Sequence, residues 1–69
     1  MILTERERSV LYYLARGYKN NEIGQELNIS VHTVKAHLET IYEKLDVTNR
    51  VQAVIKALQI DCLDVKELV

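Results

Sequence analysis

Residues 22–45, EIGQELNISVHTVKAHLETIYEKL, decide the fold. Apolar residues keep helical spacing through Ile23 and Leu27, and the spacing breaks at Asn28-Ile29. It then resumes with Val34, Leu38, Ile41 and Leu45, at intervals of four, three and four. The resumed pattern is one face of an amphipathic helix. Asn28 tolerates left-handed backbone angles better than most non-glycine residues. Ile29 then turns inward, and Ser30 offers a side-chain oxygen to the amides that open the next helix. The stretch therefore predicts a helix over Asn21–Leu27 capped by Asn20, a corner at Asn28-Ile29, and a long helix over Val31–Leu45. Gly24 falls inside the shorter helix, where it costs roughly 1 kcal/mol relative to Ala. A crossing helix that needs close approach explains it, since a tight corner follows. Away from the apolar stripe the long helix carries His32, Ala36, Glu39, Thr40 and Glu43. Lys35 lies on one flank, and Thr33, His37 and Lys44 lie on the other. A corner this tight lifts the outer face of the second helix clear of the body.

Outward from that centre, the N-terminal segment predicts a helix over Glu5–Arg16. Thr4 and Glu7 have capping-box spacing, and Glu5 and Glu7 sit where the helix dipole favours negative charge. Val10, Leu11 and Leu14 form its inward stripe, with Leu3 just ahead. Gly17 stands where a left-handed residue would end the helix. Tyr13 and Tyr42 read as core-edge residues with a wet hydroxyl, and Tyr18 as packing after the first helix. Beyond Val47, Thr48 reads as an N-cap, followed by a fourth helix over Asn49–Leu58. Its residues Val51, Ala53, Val54, Ile55, Ala57 and Leu58 cover more than the roughly 100° stripe a surface helix buries. A second copy is the simplest cover for the excess, through Val51, Val54, Ile55 and Leu58. In the tail, Asp64 and Glu67 repeat the cap spacing and suggest a short turn.

The sequence of 69 residues suits one small domain, with a core over 3–58 and a tail over 59–69. A chain of this size buries only about 60% of the surface its unfolded form exposes. Disulfides are no remedy, because Cys62 is the only cysteine and the bland reading of its thiol is structural. Two glycines and no proline disfavour a turn-rich β fold, so the expectation is an all-α, four-helix domain containing a helix-turn-helix. No apolar run approaches membrane-spanning length, and MILTERERS is too charged for a signal peptide, which makes a cytoplasmic location the simplest expectation. His32 and His37 are five residues apart and do not share a face as metal ligands at i and i+4 would. No metal, cofactor or catalytic constellation is expected. Net charge is −1, so bulk electrostatics gives no argument for nucleic acid, and the case rests on local geometry.

Four linked segments carry a resemblance: LTERERSVL (3–11), NNEIGQELNIS (20–30), HTVKAHLETIYEKLDV (32–47) and NRVQAV (49–54). Together they closely resemble the LuxR-type (NarL/FixJ-type) helix-turn-helix domain of bacterial transcription regulators. The resemblance implies that the third helix enters the major groove of double-stranded DNA and that the fourth supports a dimer. It further implies Lys35, Ala36 and Glu39 at base edges, and Thr33 and His37 at the phosphate backbone. Ser30 and His32 at the start of the reading helix, with Lys44, Arg50 and Lys19, complete the DNA-facing set. An operator of inverted half-sites, a homodimer and RNA polymerase are the implied partners. Two positions depart from the pattern: Glu39 stands where a basic or amide residue is frequent, and Lys19 where the family has Ser or Thr ahead of the second helix. On the residues alone a rival stays open, a helical interaction module that holds a protein through the fourth helix and never reads DNA.

Overall fold

The computed structural model describes residues 3–68. Met1, Ile2 and Val69, which the single-domain assignment includes, lie outside the described residues. The chain folds into α1 (Glu5–Ala15), α2 (Asn20–Leu27), α3 (Val31–Leu45) and α4 (Arg50–Gln59), followed by a single 3-10 turn over Val65–Leu68. No strand occurs among the described residues. The expected all-α fold is the one found. No helix is long and apolar enough to cross a membrane among the described residues.

Each helix begins and ends where side-chain chemistry stops it. The Glu7 amide donates to Thr4 Oγ1 at 3.1 Å and the Thr4 amide donates to the Glu7 carboxylate at 2.9 Å, closing the capping box of α1. Ser30 caps α3 by accepting from the Thr33 amide at 3.0 Å. A left-handed residue closes each helix, as the C-cap itself in α2 (Asn28, φ 57°) and α3 (Asp46, 57°) and one residue beyond the cap in α1 (Gly17, 88°) and α4 (Asp61, 61°). Glycine takes that conformation without steric cost, and Asn and Asp tolerate it best among the rest.

Two starts differ from expectation. Asn20 does not cap α2; it is the first helical residue, and Lys19 takes the cap position in extended backbone. The Glu22 carboxylate explains this, since it accepts from the Lys19 amide at 2.8 Å and supplies half of a capping box alone. At α4 the cap is Asn49 rather than Thr48: Asn49 Oδ1 accepts from the Gln52 amide at 2.9 Å. Thr48 is bound instead to the Gln52 side chain, by its amide at 3.0 Å and its hydroxyl at 3.1 Å.

The core is one cluster threaded through all four helices: Val10, Leu11, Leu14, Ile23, Val34, Leu38, Ile41, Leu45, Ala53 and Ala57. Helix α3 packs against α1, α2 and α4. Tyr13 and Tyr18 pack at the edge of the core with ring centroids 5.0 Å apart. Leu63, from the tail, completes the cluster at 5% exposure. The chain reaches it by turning at Asp61, after which the Cys62 and Leu63 amides donate to the Ala57 carbonyl at 2.8 and 3.2 Å. The short turn at Asp64 is present too, with the Lys66 amide donating to Asp64 Oδ1 at 2.9 Å.

Glu7 is the buried charged residue of the described chain, 5% exposed. Lys44 Nζ, from the far end of α3, donates to its carboxylate at 2.7 Å. Burial pushes the carboxyl pKa up, but the Lys44 ammonium and the Thr4 amide and hydroxyl outweigh it and hold it below the usual carboxylate range. The pair clamps the start of α1 to the end of α3.

Candidate nucleic-acid interface

The corner between α2 and α3 is built by contact. A Cβ at Gly24 would lie 2.7 Å from the Ile29 carbonyl oxygen, closer than carbon and oxygen tolerate. The Ile29 amide donates to the Gly24 carbonyl at 2.9 Å, so the backbones touch across the corner. Arg6 adds a bond from outside, its guanidinium donating to the Leu27 carbonyl at 3.4 Å. The first helix thus braces the end of the second.

With Val34, Leu38, Ile41 and Leu45 buried, the rest of α3 faces outward. His32, Lys35, Ala36, Glu39, Thr40 and Glu43 are exposed, and Thr33 and His37 are half-buried. Ser30 and Thr33 are tied at the helix start, their hydroxyl oxygens 2.9 Å apart. Midway along the face, Lys35, Leu38, Glu39 and Tyr42 line a shallow depression with Asn20 from α2 and Arg50 from α4. Arg50 donates to Asn20 Oδ1 at 2.9 Å, which joins the starts of α2 and α4 beside the exposed face of α3. Lys19, exposed at the N-cap, adjoins Asn20.

The structure therefore brings together Lys35, Glu39 and Arg50 from the sequence-expected set, with Ala36 exposed next to Lys35 along α3 and Ser30, His32 and Thr33 at the near end of the same helix. Lys44 is placed elsewhere, its ammonium committed to the Glu7 carboxylate. Asn20 and Tyr42 line the depression and were missing from the set. Tyr42 falls three residues after Glu39 and seven after Lys35, a spacing that places all three along one strip of helix surface.

A second surface lies on α4. Val51 is 65% and Ile55 50% exposed, and Val54 and Leu58 are half-buried. Val51, Val54 and Ile55 share an apolar trough with Leu14 and Arg50. Leu58 lines a separate depression with Asp61, Leu63, Asp64 and Val65 of the tail. Among the described residues no group of three His, Cys, Asp or Glu side chains is placed to hold a metal ion.

Comparison with known proteins identifies this architecture. The profile of the bacterial regulatory proteins, luxR family, matches residues 1–57. The chain belongs to the LuxR family. It is 57% identical over 51 residues to YhjB of Escherichia coli (strain K12), which covers 74% of this chain and 26% of YhjB. Against the response regulator protein VraR of Staphylococcus aureus it is 48% identical over 58 residues, 84% of this chain and 28% of VraR. The chain thus spans about a quarter of the length of these relatives. Among solved structures, the response regulator ChrA of a heme-sensing two-component system superposes with a TM-score of 0.88 at 40% identity, over 91% of this chain and 31% of ChrA. The transcription factor GerE superposes with a TM-score of 0.85 at 37% identity, over 90% of this chain and 92% of GerE. The chain is a LuxR-type helix-turn-helix DNA-binding domain of the transcription-regulator class, and not an enzyme.

Proposed function

We infer that this LuxR-type domain reads a specific double-stranded operator by laying α3 in the major groove. Lys35, Ala36 and Glu39 then face base edges, and Thr33 and His37 flank them at the sugar-phosphate backbone. Ser30 and His32 sit at the N-terminus of α3, where free amides and the helix dipole attract phosphate. Arg50 and Lys19 supply phosphate contacts from the starts of α4 and α2. Lys44 is left out of this set, because its charge is spent on Glu7. The observation that carries the reading is the outward strip of α3, the exposed residues His32, Lys35, Ala36, Glu39, Thr40 and Glu43, beside a corner set by the Gly24–Ile29 contact.

The net charge of −1 is compatible with this role, because specificity needs a few well-placed cations rather than a basic body. A single domain with so few phosphate contacts binds weakly, and its salt dependence is shallow because the slope scales with the number of phosphates neutralised. Pairing through Val51, Val54, Ile55 and Leu58 on inverted half-sites about one helical turn apart raises affinity without new contacts per copy. The chain would act in the cytoplasm as the output domain of a transcription regulator, with RNA polymerase as a further partner.

Lys35→Ala tests the reading. A lysine on a guanine edge contributes roughly 1–3 kcal/mol of discrimination. Binding of a site selected from a random oligonucleotide pool should therefore fall about five- to 150-fold. Helicity and self-association should stay unchanged. Unaltered binding by the variant would overturn the assignment of α3, and absence of DNA binding by the unmodified domain would favour a protein-interaction module built on the exposed face of α4.

A further inference from the structure

Glu39 is chemically out of place on a surface that meets a polyanion. It is exposed, one helical turn beyond Lys35, and midway along the strip that faces the duplex in the reading above. Its carboxylate has no hydrogen-bond or ion-pair partner among the described residues, and Lys35 does not neutralise it. The order matters here: Lys followed four residues later by Glu is the weaker arrangement on a helix, since each charge opposes the dipole it meets. The two side chains therefore stay independent. Glu39 also shares the depression with Asn20, Tyr42 and Arg50, but the Arg50 guanidinium donates to Asn20. An unpaired carboxylate facing DNA is repelled by phosphate, and in the major groove it is repelled by guanine O6 and N7 and by thymine O4. One feature of the groove suits it best, the exocyclic N4 amino donor of cytosine.

We propose that Glu39 is a specificity-determining residue that demands cytosine at one position of each half-site and rejects acceptor-bearing bases there. Lys35 and Glu39 are four residues apart, about 6 Å along the helix axis. Stacked base pairs are about 3.4 Å apart. Lysine donates to guanine and glutamate accepts from cytosine, so the two side chains read complementary chemistry one or two base steps apart. Ala36 between them is small enough to let both reach the groove floor. Glu39 contributes by exclusion as much as by attraction, a repulsive element set against the wrong site.

This inference rests on α3 lying in the major groove, and its test separates the two. The probe is the duplex selected from a random pool, with every position of one half-site replaced in turn by each of the other base pairs. Affinities are measured at one fixed salt concentration for the unmodified domain, Glu39→Ala and Glu39→Gln. The unmodified domain should prefer cytosine about ten-fold or more at one position. Glu39→Ala should lose that preference there alone, while its affinity for unrelated DNA stays the same or rises because a negative charge has gone. Glu39→Gln should move the preference toward adenine, whose N6 and N7 match a carboxamide. Identical base preferences for the unmodified domain and Glu39→Ala, in a domain that still discriminates its selected site, would overturn the role of Glu39 and leave the α3 reading standing. No preference for the selected duplex over unrelated DNA in the unmodified domain would overturn both. Far-UV circular dichroism verifies that each variant folds, as expected for changes at an exposed helical position.

Discussion

Gly24→Ala puts the corner to the test, because its two effects oppose each other. On helix propensity alone the change should stabilise by roughly 1 kcal/mol. The structure says otherwise, since the new methyl would stand 2.7 Å from the Ile29 carbonyl oxygen, a backbone atom that cannot swing aside. Overpacking of this kind costs about 1–3 kcal/mol. Moving the two segments apart also weakens the bond from the Ile29 amide to the Gly24 carbonyl, worth about 1 kcal/mol. The balance is a net loss of about 1–3 kcal/mol, against a total stability of roughly 3–10 kcal/mol for a chain this size. At about 4–8 °C per kcal/mol, the midpoint should drop by roughly 5–20 °C. Thermal melts followed by circular dichroism measure it, with Gln25→Ala on the exposed side of the same helix as a near-neutral control. Operator affinity should fall further than the stability loss accounts for, because α3 is re-aimed. A variant that melts at or above the parent temperature would refute the idea that backbone contact sets this corner.

Two further expectations follow from the clamp and from α4. Glu7 titrates below the usual range when folded, so its contribution is fully present above the unfolded carboxylate pKa of about 4.3 and is lost as pH falls through the lower folded value. Between pH 6 and pH 3 the parent should therefore lose more stability than Glu7→Gln, which itself should cost about 1–3 kcal/mol at pH 7; equal losses for the two proteins would contradict the clamp. Ile55→Glu places a charge in the middle of the exposed α4 surface, so dimerisation and operator affinity should weaken together, and an unchanged monomer–dimer balance in sedimentation would rule that surface out.

The centre of the chain was legible because its signals agree. Ser30, the spacing of Val34, Leu38, Ile41 and Leu45, and Asp46 after the last apolar residue fix α3 at both ends, and its boundaries match the expected ones. Gly24 and Asn28 could be read because each has one strong physical reason to stand there. The starts of α2 and α4 shifted by one residue because caps compete locally. Adjacent residues could each serve, and the third residue into the helix chose between them: Glu22 favoured Lys19, and Gln52 left Asn49 as the cap. Lys44 illustrates a harder limit. Its partner Glu7 lies 37 positions away, and nothing in the spacing of either residue announces the other. On the outer face of α3, the exposed set came from helical periodicity, but Asn20 and Arg50 meet only because the fold brings two helix starts together.

Leu63 has a practical consequence for anyone who cuts and joins this module. The family match stops at residue 57, yet a residue of the sealed interior lies six positions further on. A fusion spliced at that boundary would remove a leucine packed into the core cluster, forfeiting about 1.5–3 kcal/mol of leucine burial. Grafting the segment through Leu68 carries that leucine along, so the transplantable unit is longer than its kinship suggests.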